Sequence, residues 1–189
     1  AQESRGLGDV YKRQVSGPAA SVDRFVVTHV VPVVDEPTSR FFDFKTIVPC
    51  PECVTGTESG TEADEGFFAR RSLACFRETG YLNWYEWNCA NWGTKWGAYD
   101  YKERASEPGK FVFEFQTAWS FPEPIFEKLV ELYPDVVFDV VTIDEGGPEM
   151  EGRYCADVKA LNEMPHNADR YRMVYGRDPY SDDEDAEDA

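Results

Sequence analysis

Residues Phe111 to Thr117 alternate strictly: Phe111, Phe113, Phe115 and Thr117 fall on one side, and Val112, Glu114 and Gln116 on the other. A period of two marks a strand with one dry and one wet face. Such a strand needs partners at its edges and a cover over its apolar side. The flanking chain supplies both. Ser120, with Glu123 three residues on, has the pattern of a helix capping box. Ile125, Phe126, Leu129, Leu132 and Tyr133 then recur at helical spacing, and Pro134 stops the run. Val136 to Ile143 is nearly all apolar and β-branched, as a central strand is. Upstream, Tyr99 to Arg104 reads as a strand that reaches Phe111 through a turn at Glu107-Pro108-Gly109.

The N-terminal half repeats the theme less cleanly. Val15-Ser16-Gly17-Pro18 reads as a strand end and a turn. Ala20 to Val31 follows as a helix with Val22, Phe25, Val26, His29 and Val30 on one side, ended by Pro32. Phe41 to Val48 reads as a short strand with Phe42, Phe44 and Thr46 on one face. Thr55 to Glu65 is a polar loop, and Phe67 to Glu78 a helix that Gly80 interrupts. Tyr81 to Trp92 is a second helical segment with a stripe of Leu82, Tyr85, Cys89 and Trp92, stopped by Gly93. Glu151 to Val158 returns as an edge strand. Without its helical insertion, at about residues 58–96, the order is βαββαβ. The expectation is an α+β sandwich: a ferredoxin-like antiparallel sheet with helices on one face.

Both ends differ from this middle. Ala1 to Gln14 lacks a clear period, and Gly6 to Gln14 resembles translated sequencing-adaptor sequence. The expectation is a non-native or disordered leader over 1–14, with natural sequence starting near Val15 and the domain running over 15–158. Residues 159–189 form a polar extension, in which Ser181 to Ala189 carries six acids and no base. Such a block reads as a solvated, disordered tail. The whole chain has a net charge of −17, from 36 acids against 19 Lys and Arg. Its field repels nucleic-acid backbones and anionic membranes. No apolar run is long enough to span a bilayer, and no apolar leader segment opens the chain. Five cysteines, an odd number, point to reduced thiols in a cytoplasm.

Two segments carry a family resemblance. One runs from Gly80-Tyr81-Leu82-Asn83-Trp84-Tyr85-Glu86-Trp87 to Asn91-Trp92-Gly93-Thr94-Lys95-Trp96. The other is Phe115-Gln116-Thr117-Ala118-Trp119-Ser120 with Pro122, Pro124 and Tyr133-Pro134. Together they resemble the YubB-type ferredoxin-like domain family of plasmids, phages and bacterial genomes, over roughly residues 15–156. Phe121 stands where many relatives have Pro, and the Pro-Asn-Trp-type opening of that family is absent. The resemblance implies a ferredoxin-like fold in a mobile-element setting and brings no activity with it.

Asn91, Trp92, Gly93, Thr94, Lys95 and Trp96, with Thr117 and Trp119, are the candidate binding residues. Gly93 permits a positive φ or a close approach. Lys95 stands between two indoles and can lie over one of them or present its charge to a ligand. The same indoles can instead pin the insertion to the sheet, as buried Trp commonly does. Cys50-Pro51-Glu52-Cys53 has knuckle-like spacing, but zinc needs a second pair of ligands and none stands at short spacing. Cys50 and Cys53 are therefore weak metal candidates, and no cofactor is implied. His29 belongs to an apolar helical stripe, and His166 to a polar stretch. No nucleophile elbow, phosphate-binding loop or zinc-protease motif occurs. RNA binding would need aromatics on the open sheet face among basic residues. Here the Phe residues turn inward and the net charge is acidic.

Three functional readings follow. The leading one is a cytoplasmic, non-enzymatic binding or accessory protein of mobile-element type with a protein partner. The second is an acidic decoy of DNA that occupies a host nucleic-acid-binding protein. The third is an enzyme with a site near Lys95 and its neighbouring carboxylates. Oligomeric state has no signature in the sequence.

Overall fold

The destination of each side chain on the Phe111 to Thr117 strand decides the layering. The computed structural model describes residues 9–57, 67–118, 120–143 and 149–165. In chain order its elements are β1 (Asp9–Ser16), α1 (Ala19–His29), β2 (Val30–Val33), β3 (Glu36–Phe42), a single 3-10 turn at Phe44–Thr46, α2 (Phe67–Thr79), α3 (Trp84–Asn91), β4 (Tyr99–Glu107), β5 (Lys110–Thr117), α4 (Glu123–Leu132), β6 (Val137–Ile143), β7 (Glu149–Tyr154) and β8 (Lys159–Met164). Six strands form one antiparallel sheet in the order β4-β5-β1-β6-β7-β8. Within it, β1, α1, β4, β5, α4 and β6 make the βαββαβ unit of a ferredoxin-like fold. β7 and β8 lengthen the sheet beyond β6.

Helices α1 and α4 cover one face. Val22 and Phe25 from α1, and Ile125, Phe126, Leu129 and Val130 from α4, bury against Val15, Phe111, Phe113, Phe115, Phe138 and Val140 of the sheet. Phe25 sits amid five rings, those of Phe42, Phe111, Phe113, Tyr133 and Phe138, with centroids 5.6–6.5 Å away. Tilted and edge-on packing of this kind adds to the burial of each ring.

Four expectations change. Residues 9–14 of the expected leader belong to the middle of the sheet. Asp9–Ser16 lies between β5 and β6, with Arg13 opposite Phe113 on one side and Val140 on the other. The polar look of Lys12-Arg13-Gln14 hides a strand because the Arg13 guanidinium is itself buried. It lies 5.0–5.3 Å from the ring centres of Phe115, Phe121 and Phe126 and donates to Val141 O at 3.0 Å. Second, the Phe41 to Val48 strand is the end of a β2–β3 hairpin followed by the 3-10 turn. The Asp43 carboxylate accepts from the Lys45 N–H at 3.0 Å and closes that turn, so Phe42 and Phe44 are both buried without a strand between them. The insertion therefore opens with the hairpin and not at residue 58. Third, the wet face of β5 is not wet: Val112 and Glu114 are buried. Glu114 accepts from Arg104 Nη2 at 2.6 Å and stands opposite Lys12 and Lys102 in the register. Fourth, Lys159–Met164 is the edge strand β8 and not part of a polar extension. Residues 1–8, most of the polar loop at 58–65 and the acidic run at 181–189 lie outside the described residues.

His29 ties the helices to the turn. Thr46 spends its hydroxyl hydrogen on Asp43 O at 2.6 Å, so His29 Nδ1–H donates to Thr46 Oγ1 at 2.7 Å. His29 Nε2 then accepts from the Tyr133 hydroxyl at 2.9 Å. Burial pushes the imidazole down from 6.5 to about 4. The unfolded chain takes up this proton between those values and the folded chain does not, so stability should fall as pH drops from 6.5 to 4, by at most roughly 3 kcal/mol. Urea unfolding across that range should show the decline, and His29→Gln should flatten it.

A tryptophan motif divided between lock and lip

Helix α3 is fixed at both ends. At its start the Asn83 side chain accepts from the Glu86 N–H at 3.0 Å, and Glu86 accepts from the Leu82 N–H at 2.9 Å. Buried Thr57 accepts from the Trp84 N–H at 2.8 Å and donates to Val54 O. The helix thereby turns Trp87 and Asn88 inward. Leu82, Tyr85 and Cys89 face solvent. This corrects the expected stripe. The helix begins at Trp84, and Trp92, its C-cap, whose N–H donates to Asn88 O, follows buried Asn88 by one turn and is buried with it.

The candidate residues split into two groups. Trp92 is buried: its ring packs edge-on against Trp87 at 5.5 Å and Phe44 at 6.0 Å, and its Nε1–H donates to Val48 O at 3.0 Å. Asn91 Nδ2 donates to Trp87 O at 2.9 Å. Thr94 is buried and donates to Trp96 O at 2.7 Å. Asn88 Nδ2 donates to Lys95 O at 2.8 Å, tying the loop back to α3. Gly93 has φ +78°, and a Cβ there would stand 2.8 Å from Pro124 Cδ and 3.2 Å from Phe121 O. Ser120 Oγ donates to Gly93 O, and buried Thr117 donates to Ser120 O at 2.8 Å. Thr117 and the motif therefore meet through Ser120. The capping box is not made, because the Ser120 hydroxyl is engaged by Gly93 and α4 begins behind Pro122 without a side-chain cap. The Glu123 carboxylate instead accepts from buried Tyr154 at 3.2 Å, and burial together with that carboxylate pushes the Tyr154 hydroxyl well above the usual phenol range.

Lys95 and Trp96 make the second group. Trp96 is 38% exposed, and Lys95 Nζ lies 4.6 Å from its ring centre. Trp119 lies outside the described residues. Cys50 and Cys53 pack partly against the core. Among the described residues no group of three or more His, Cys, Asp and Glu is arranged to hold a metal ion. Sequence spacing gave no sign that Cys75 on α2 would be buried, or that Leu73 and Phe76 on the same helix would be exposed.

An antiparallel sheet with helices on one face and a structural tryptophan clasp defines a ferredoxin-like α+β protein. Residues 92–178 match the family model described as a ferredoxin-like domain in Api92-like protein. The match begins at Trp92, inside the motif, and takes in the sheet from β4 onward. No curated protein and no solved structure matches the chain significantly. No helix among the described residues is long and apolar enough to cross a membrane.

The two groups should respond differently to substitution. Gly93→Ala meets both a left-handed φ and the Pro124 ring, so it should destabilise the fold by about 2 kcal/mol. Trp96→Ala should cost about 1 kcal/mol or less, the scale of an exposed cation–π contact. Chemical denaturation of both variants measures the contrast.

Proposed function

We propose that the chain is a non-catalytic accessory module that binds a protein partner through the Lys95–Trp96 lip. The observation that carries this reading is the exposure of Trp96 in a motif whose Trp92, Thr94 and Thr117 are buried. A rigid base holds a large amphipathic ring at the surface, and such rings anchor interfaces at low entropic cost. Exposed Leu82 and Tyr85 extend the apolar character of the insertion surface. The YubB-type resemblance supports a plasmid or phage setting, and the odd number of cysteines supports a cytoplasmic location. The net charge of −17 supports a second reading, an acidic DNA decoy bound to a basic host protein.

Affinity capture from bacterial lysate tests both. The wild-type chain should retain a specific partner that a Lys95→Ala, Trp96→Ala double variant loses while its circular dichroism stays native. Equal capture by the two chains contradicts the lip as the interface. A complex that dissolves steeply with added salt favours the decoy, and one that survives high salt favours the apolar lip.

A further inference from the structure

The hairpin between β7 and β8 fixes which backbone groups the last strand presents outward. Cys155 and Val158 exchange both bonds: Cys155 N–H donates to Val158 O at 2.7 Å, and Val158 N–H to Cys155 O at 3.3 Å. Bonded and non-bonded pairs alternate along an antiparallel ladder. Tyr154 stands opposite Lys159, Gly152 opposite Leu161 and Met150 opposite Glu163, with no register shift along the pair. The N–H and C=O groups of Lys159, Leu161 and Glu163 therefore point away from β7. β8 ends the strand order, and no strand pairs beyond it among the described residues. These three side chains share the helix-covered face. Leu161 packs against the core there, and Lys159 adds to Lys128 in holding the Glu131 carboxyl of α4 below its usual range. The opposite edge of the sheet is blunted. β4 breaks register between Tyr99 and Lys102 and again between Glu103 and Ala105, and Arg40 of β3 reaches Glu103 at 3.5 Å. Such bulges deter strand addition, and β8 has none.

We propose that β8 pairs antiparallel with β8 of a second copy of this chain, about a two-fold axis at Leu161, so that the two sheets run on as one. An axis normal to the sheet keeps the helices of both copies on one side, so residues set opposite each other must face the same way. Among the registers this allows, Leu161 opposite Leu161 engages every outward-pointing residue: Leu161 meets its copy, and Lys159 meets Glu163 on either side of the axis. An axis at Ala160 leaves Glu163 beyond the pairing and sets Leu161 against Lys159. An axis at Asn162 leaves Lys159 facing Pro165, which has no N–H, and sets Leu161 against Glu163. The register at Leu161 thus joins the fullest backbone ladder to two opposite-charge pairs, and such cross-strand pairs attract where like charges repel. One strand pair is a small interface, so the dimer should be weak and concentration-dependent.

Sedimentation velocity of the full chain over a wide range of concentration tests the pairing. The wild type should pass from monomer to dimer. Lys159→Glu and Glu163→Lys both alter exposed side chains. Each turns the two attractive pairs into like-charge pairs and should weaken the dimer about tenfold or more while circular dichroism stays native. An equimolar mixture of these two variants restores opposite charges at both pairs and should dimerise as the wild type does. The double variant Lys159→Glu, Glu163→Lys should do the same. Amide hydrogen exchange reads the register: the N–H groups of Lys159, Leu161 and Glu163 should slow as concentration rises, and those of Ala160 and Asn162, which face β7, should not. A wild type that stays monomeric, single variants that dimerise as well as it does, a mixture that does not recover the dimer, or protection that ignores this alternation would overturn the proposal.

Discussion

The placement of the helical insertion depends on one close approach, that of Gly93 to the first turn of α4. The loop reaches Pro124 and Phe121 only because residue 93 has no side chain and takes a left-handed φ. Ser120 closes the contact by bonding Gly93 while it accepts from Thr117. The two segments that carry the family resemblance are thus the two halves of one joint. Beyond it, the Trp92 indole seats on Phe44 and bonds Val48, which couples the joint to the 3-10 turn. That turn holds Thr46, and through it His29 and Tyr133. A continuous line of packed rings and buried hydrogen bonds runs from the insertion to both covering helices.

The electrostatics follow a related division. The chain carries a net charge of −17, yet its sheet places a guanidinium in the interior. Arg13 is tolerated there because three ring faces and a carbonyl replace its water. On the opposite face Glu114 is buried with Arg104 as its ion-pair partner. Arg104 itself remains half-exposed, so this pair sits at the boundary with solvent and not deep within the core.

Much of the fold was legible because its strongest signals were local. The alternation at Phe111 to Thr117, the apolar run into Ile143 and the spacing of α4 each identify an element without tertiary help. The misreadings arose where a tertiary contact overrides the local pattern. Arg13 looks polar until an aromatic box surrounds it. Phe42 and Phe44 look like strand alternation until the Asp43 cap bends the chain. Ser120 looks like a helix cap until Gly93 takes its hydroxyl. The stripe from Leu82 to Trp92 has helical spacing, but burial of Trp87 and Asn88 turns the other side of the helix inward, and of the stripe only Trp92 at the helix end is buried. At the candidate site the sequence singled out a set of residues but not which of them lie in the core and which at the surface. Trp92 and Trp96 are alike in composition and spacing, and only the bond to Val48 and the exposure of the second ring tell them apart.

That division is the central claim, and hydrogen exchange at the indole nitrogens tests it directly. In a nitrogen-15 spectrum assigned with Trp92→Phe and Trp96→Phe variants, the Trp92 Nε1–H should exchange only on the timescale of subglobal or global opening. The Trp96 Nε1–H should exchange much faster, without waiting for subglobal or global opening. Comparable protection of the two indoles, or faster exchange at Trp92, would contradict the account.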